Sequence, residues 1–179
     1  KKKYKISDFK IVTDIKTKKY KSKRYTNILQ NSYLIKKSTK NKFNKKFLGV
    51  SINSKSTKKE NLFIAIKGKN NDGHQFIKEA ISRGASNCVV SKNTNKIPKS
   101  KVIKVSNTYN FLKKLAILKR NHTNSKIIAV TGSSGKTTVK DLIGNLLKNY
   151  GNTYYSPSSF NNSYGVPLSL CNLEQDHKF

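Results

Sequence analysis

Thr131-Gly132-Ser133-Ser134-Gly135-Lys136-Thr137-Thr138 gathers two glycines, one lysine and five hydroxyl side chains into eight residues. Residue types at this spacing suit an anion. Glycines let a backbone turn tightly with its N–H groups pointing inward, a following helix contributes its positive end, and a lysine reaches the outermost phosphate. A hydroxyl directly after that lysine can ligand Mg2+. Gly132, Ser133, Ser134, Gly135, Lys136, Thr137 and Thr138 are therefore the candidate phosphate cradle, with Lys136 as its reactive cation and Thr137 as its metal ligand.

The usual Walker spacing places a glycine five residues before Gly135, where Val130 stands; the shorter Thr-Gly-x-x-Gly-Lys-Thr form is met instead. A plain Gly-Ser-Ser-Gly turn between strand and helix is the bland alternative. Lys136 argues against it, because a turn has no use for a cation against a helix's positive end.

A second polar cluster runs from Ser156 to Leu170 and contains Asn161-Asn162. Its two side-chain amides could orient a polar substrate at the carboxyl edge of a sheet. The competing reading is Asx-turn chemistry capping a helix that runs through Pro167 and Leu170.

These residues need elements to hold them. Ile127-Ile128-Ala129-Val130 reads as a short buried strand before the loop. Val139, Leu142, Ile143, Leu146 and Leu147 recur at helical spacing after it, and Thr153-Tyr154-Tyr155 reads as a second parallel strand, completing one βαβ unit.

Upstream, Phe47 to Ile52, Leu62 to Ile66, Cys88 to Val90 and Val102 to Val105 read as strands, with a helix from His74 that stops at Gly84. Asn107 or Thr108 caps a further helix with an apolar stripe of Phe111, Leu112, Leu115, Ala116 and Leu118. The fold class expected is α/β: a small N-terminal α/β domain, then the start of an incomplete parallel-sheet phosphate-loop domain. In chain order this gives a basic, disordered extension at 1–24, an N-terminal domain at 25–106, a linker helix at 107–124 and the start of the nucleotide domain at 125–179. Within 25–46, Ile28, Leu29, Tyr33 and Leu34 suggest one short helix.

The net charge of +30 invites nucleic acid as a partner. Its make-up argues otherwise: lysine supplies 35 of the 38 basic residues and arginine only Arg24, Arg83 and Arg120, whereas nucleic-acid surfaces favour arginine's fork. Residues 1–46 hold 17 basic and 2 acidic residues, half of the whole charge. No apolar run is long enough to span a membrane and no signal segment opens the chain, so a cytoplasmic monomer without membrane insertion is expected. Cys88 and Cys171 lack metal-type spacing and read as free thiols. The absence of methionine and the apolar run just before Phe179 suggest a piece of a longer protein.

Val130 to Thr138, Phe160-Asn161-Asn162 with Gly165-Val166-Pro167-Leu168, and Leu62 to Gly68 with Asp72-Gly73-His74 together resemble the Mur ligase family, in its D-alanyl-D-alanine-adding branch. The resemblance covers about Phe47 to Leu173. It implies ATP and Mg2+ at the phosphate loop, with UDP-N-acetylmuramoyl-tripeptide and D-alanyl-D-alanine as the molecules joined. It also implies substrate contacts at Ser54, Lys55, Asn161 and Asn162. In such ligases ATP phosphorylates a carboxylate and an amine then attacks the acyl phosphate.

Two departures stand out. Where the family has Asp-Ser-Arg this chain has Asn53-Ser54-Lys55, and the family's glycine before the second strand is replaced near Glu60-Asn61. The later metal-binding acid, the modified lysine and the C-terminal domain of such ligases have no counterpart here. Glu174 and Asp176, the acids after Asp141, form no recognisable metal motif. The rival readings are the ligase that adds the third peptide residue, a generic phosphate-loop NTPase, and a basic nucleic-acid-binding module.

Overall fold

Among the described residues, runs rich in β-branched and other apolar residues form four short strands: β1 (Val50–Ser51), β2 (Leu62–Ile64), β3 (Asn87–Val90) and β4 (Val102–Lys104). They pair in parallel in sequence order, with Val50 opposite Leu62, Phe63 opposite Cys88 and Val89 opposite Ile103. The computed structural model describes residues 47–157 and 162–179. The basic extension, the short helix expected around Ile28 to Leu34, and Asn161 lie outside the described residues.

Among the described residues four helices accompany the sheet: α1 (Ile77–Ser82), α2 (Thr108–Asn121), α3 (Lys136–Leu147) and α4 (Gly165–Cys171). Strand alternation sends side chains to two cores, as burial on both faces of a parallel sheet requires. Leu62, Ile64, Val89 and Ile103 meet Phe111, Leu112 and Leu115 of α2 and Leu168 and Cys171 of α4 on one face. Phe63, Ala65, Cys88 and Val90 meet Ile77 and Ala80 of α1 on the other.

Local chemistry sets the boundaries. Asn107 caps α2 by accepting from the Asn110 amide at 2.8 Å. The helix expected from His74 begins instead as a 3-10 turn, Gly73–Phe76, capped by Asp72, and passes into α1. Gly84, at φ +98°, ends it in the left-handed conformation.

The Asp72-Gly73-His74 sequence is a latch. A Cβ at Gly73 would stand 2.8 Å from the Ile66 nitrogen, so only glycine fits against β2's end. The His74 ring links Asp72 through Nδ1 with Ser91 beyond β3, whose amide donates to Nε2 at 3.0 Å. That amide can only donate, so Nδ1 carries the ring proton toward Asp72. Burial alone would raise the Asp72 carboxyl, but hydrogen bonds from His74 and Lys92 outweigh it and hold the group well below the usual carboxylate range.

The later part of the chain joins this core. α4 packs along α2 and touches β1. Asn172, just past α4, accepts from the Val50 amide at 2.9 Å and donates to the Val50 carbonyl at 3.1 Å.

Candidate phosphate and substrate site

The candidate phosphate loop, Thr131 to Thr138, turns into the start of α3 as its glycines require. Gly132 and Gly135 take φ of +152° and +73°, and a Cβ at Gly135 would meet nothing within 4 Å, so the loop is an open concavity. Gly135 is the N-cap of α3 and makes no side-chain cap bond, so the helix's positive end faces the loop, where an anion is favoured. Lys136 folds back over the loop and donates to the carbonyls of Gly132 at 2.6 Å and Ser133 at 2.9 Å. Ser133, Ser134, Thr137 and Thr138 are exposed around it. Backbone donors, a helix's positive end and a reachable ammonium together fit a phosphate chain.

The segments flanking α3 differ from the expected βαβ unit. Ile127 to Val130 is not a strand and is not buried: Ile127 is 43% and Ile128 52% exposed. Thr153 to Tyr155 is not a strand either. Lys178 and Phe179 come between the two segments. The Lys126 amide donates to the Lys178 carbonyl, the Lys178 amide to Asn152 and the Tyr154 amide to Phe179. Extended residues become a parallel ladder only with paired neighbours and covered faces, and here no described element lies over Ile127 and Ile128.

A groove of about 570 Å3 opens between these pieces. Val130, Gly132, Lys136 and Thr137 line one side, Tyr155 and Ser156 another, and Val166 and Ser169 of α4 a third. Lys140, one turn after Lys136, donates to the Ser156 carbonyl at 2.7 Å and pairs with Asp141 at 3.0 Å.

Asn162 begins the turn into α4. Its Oδ1 accepts from the amides of Tyr164 at 3.1 Å and Gly165 at 2.8 Å, the Asx-turn arrangement that caps a helix. The capping reading of Asn162 is thus realised, and it leaves the amide nitrogen as the part able to serve a ligand.

Ser54 and Lys55 lie on the 3-10 turn Ser54–Ser56 after β1. Ser54 is buried and its hydroxyl donates to Glu79 of α1 at 2.8 Å, while Lys55 is exposed. The Ser54 hydroxyl holds the Glu79 carboxyl below its usual range, with burial opposing and Arg83 and Lys55 adding to the effect. A structural task therefore already occupies Ser54, and Lys55 is the more available of the two.

Residues 46–120 match the Mur ligase family catalytic domain, and residues 130–179 match the Mur ligase middle domain. The chain belongs to the Mur ligase family. A UDP-N-acetylmuramoyl-tripeptide–D-alanyl-D-alanine ligase of Buchnera aphidicola subsp. Baizongia pistaciae is 48% identical over 121 residues, which is 66% of this chain and 26% of the relative. A crystal structure of MurF from Acinetobacter baumannii superposes with a TM-score of 0.68 at 26% identity, covering 82% of this chain and 34% of that one. The MurF ligase of Thermotoga maritima in complex with ADP gives 0.56 at 36% identity, covering 72% and 30%. This Mur ligase chain therefore spans between about a quarter and a third of the length of these proteins. The parallel-sheet α/β fold expected from the sequence is the one it shares with them.

Several of the Mur ligase site's supports escaped the sequence. Gly144 is a notch for Tyr155: a Cβ there would lie 2.5 Å from the ring's Cδ1. Lys140 and Lys148 flank that ring, and its hydroxyl donates to Asn145 at 3.1 Å. Glu174 and Asp176, which formed no motif by spacing, come together with His177, their ligand atoms within 4.8 Å of one another. Each already has protein work there. Asn152 donates to Asp176, the Glu174 amide donates to His177 Nδ1 at 2.8 Å, and the His177 ring stacks on Tyr154. Among the described residues no helix is long and apolar enough to cross a membrane.

Proposed function

We propose that this chain forms the N-terminal part of an ATP-dependent, ADP-forming ligase. That ligase joins D-alanyl-D-alanine to UDP-N-acetylmuramoyl-tripeptide for peptidoglycan precursor synthesis in the cytoplasm. The observation that carries the reading is one groove bordered by both the Lys136 loop and the helix that Asn162 starts. The names of the Buchnera, Acinetobacter and Thermotoga proteins support the same assignment. Residues 25–106 then serve the UDP-sugar, 107–124 link, and 125–179 open the ATP domain.

A carboxylate is a poor electrophile, and transfer of a phosphoryl group to it relies on positioning and charge neutralisation. In this reading the backbone amides of Gly132 to Thr138 hold the phosphates. Lys136 leaves the carbonyls of Gly132 and Ser133 to neutralise the transferring group. Thr137 would hold Mg2+, which supplies further neutralisation of phosphate charge. Asn162, with its oxygen engaged in the cap, offers its amide nitrogen to the muramoyl peptide, with Asn161 beside it in sequence. Lys55 and Ser54 stand on the uridine side. The acyl phosphate formed is attacked by the amine of the dipeptide, releasing phosphate.

The test is ADP formation by the complete ligase carrying this sequence, measured with and without each substrate. Turnover should require both the tripeptide nucleotide and D-alanyl-D-alanine, and Lys136→Ala should lower it at least about a hundredfold with unchanged circular dichroism. Residues 1–179 alone should show no such turnover. Turnover with a free amino acid and the muramoyl dipeptide instead would assign the chain to the ligase that adds the third residue. Near-normal rates in Lys136→Ala would remove that lysine from the chemistry.

A further inference from the structure

The turn that carries Asn162 is gripped from α2. Tyr109, in the first turn of that helix, donates from Oη to the Ser163 carbonyl at 3.2 Å. Its ring meets Tyr164 edge-on, with centroids 5.1 Å apart and planes at 72°. Lys113, one turn further along α2, places Nζ 4.7 Å from the centre of the Tyr109 ring.

Ser163 and Tyr164 separate Asn162 from α4, and the Tyr164 amide is one of the two that Asn162 Oδ1 accepts from. The orientation of the Asn162 side chain therefore follows the placement of these two residues. The packing of α4 itself is secured elsewhere, by Leu168 and Cys171 in the apolar core, with the Cys171 thiol donating to the Leu112 carbonyl. Tyr109 is half-buried, and its polar end faces the turn rather than that core. A tyrosine suits this task because it reaches far with only two side-chain torsions to fix.

We propose that Tyr109 is a positioning residue for the muramoyl-peptide substrate: through Ser163 and Tyr164 it sets the direction of the Asn162 amide nitrogen at the start of the helix whose Val166 and Ser169 line the groove. This rests on the substrate reading of Asn162 given above. It also assigns α2, which lies in the match to the other family domain, a part in placing a substrate contact on the far side of the phosphate loop in sequence.

Two variants of the complete ligase test it. Tyr109→Phe removes only the hydrogen bond, and Tyr109→Leu removes the ring contact as well. The expected result for Tyr109→Phe is a KM for the tripeptide nucleotide raised about threefold to tenfold, with kcat and the KM for ATP unchanged. Tyr109→Leu should raise it further. A lowered melting temperature with both Michaelis constants unchanged in Tyr109→Phe would overturn the inference. Asn162→Asp separates this from failure of the underlying reading, because it keeps the acceptor for the Tyr164 and Gly165 amides but loses the donor. If Asn162→Asp leaves the tripeptide KM unchanged, the substrate role of Asn162 falls and this inference falls with it. If Asn162→Asp raises the KM while Tyr109→Phe does not, the inference alone falls.

Discussion

Glu60 holds a backbone angle that a side chain makes costly. Its φ is +65°, in the left-handed region, where an L-residue with a Cβ loses roughly 1 kcal/mol or more relative to glycine. The conformation is imposed from both sides. The Glu60 amide donates to the Gly84 carbonyl at 2.7 Å, and its carbonyl accepts from Leu48 at 2.9 Å, fixing the turn that delivers the chain into β2. The resemblance led to the expectation of a glycine near Glu60-Asn61, and Glu60 is where the backbone takes the angle glycine favours. Comparing Glu60→Gly with Glu60→Ala isolates the backbone, since both lose the carboxylate. The glycine variant should be the more stable by about 1 kcal/mol in urea unfolding, and equal midpoints would show that the turn relaxes without cost.

At the scale of elements, α3 and the segment after it are locked by Gly144 and Tyr155. Alanine in the middle of a helix normally gains up to about 1 kcal/mol over glycine. At 144 the new Cβ would stand 2.5 Å from the Tyr155 ring and push it off Lys140 and Lys148, so overpacking should win. Gly144→Ala is therefore expected to lower stability by about 1 to 3 kcal/mol and to alter the near-ultraviolet dichroism of tyrosine; a stabilised variant with an unchanged spectrum would contradict the notch.

Separation along the chain decides which of these features the sequence displays. Asn107 as a cap, Gly84 as a stop and the apolar period of α3 are local signals, and the helices they define are present. Ile127 to Val130 carries the composition of a buried strand, yet pairing and cover are decided by residues distant in the chain, and neither is present there. The loop's glycine turn and the helix start after it were legible because their residue types and spacing lie within eight consecutive residues. The Tyr109 grip, the Tyr155 notch and the role of Ser54 were not legible, because each depends on a partner many residues away.

For the molecule as a whole, Lys119 reports whether the two parts of the chain stay together. It is 4% exposed in the last turn of α2, and burial pushes its ammonium down to about 8, with the nearby Cys171 and Glu174 pulling the other way. Its ordinary value is 10.5, so between about pH 8 and that value the unfolded chain holds a proton that the folded chain has released. Stability from this group must then rise with pH, by about 1 kcal/mol between pH 8 and 9. Burial raises the thiols of Cys88 and Cys171, which pull stability the opposite way in any variant that keeps them. Urea midpoints of the unsubstituted chain and Lys119→Met should therefore differ in slope across that interval, the variant lacking the gain. Parallel slopes would mean that α2 and the segment after α4 separate readily enough for water to reach the amine.

Asn172 has a consequence for how copies of this protein behave in a crowded solution. An outermost strand offers unpaired amides and carbonyls to any passing chain, which is how sheets stick edge to edge and aggregate. At β1 the side-chain amide of Asn172 plays the part of a neighbouring peptide group, engaging both the N–H and the C=O of Val50. It also donates to the Leu168 carbonyl at 2.9 Å, so the plug is fastened to α4. Among the described residues this puts a stopper on one margin of the sheet, made from a single side chain. A chain in which that stopper is pulled, as in Asn172→Leu, would bare a self-templating edge and clump during refolding.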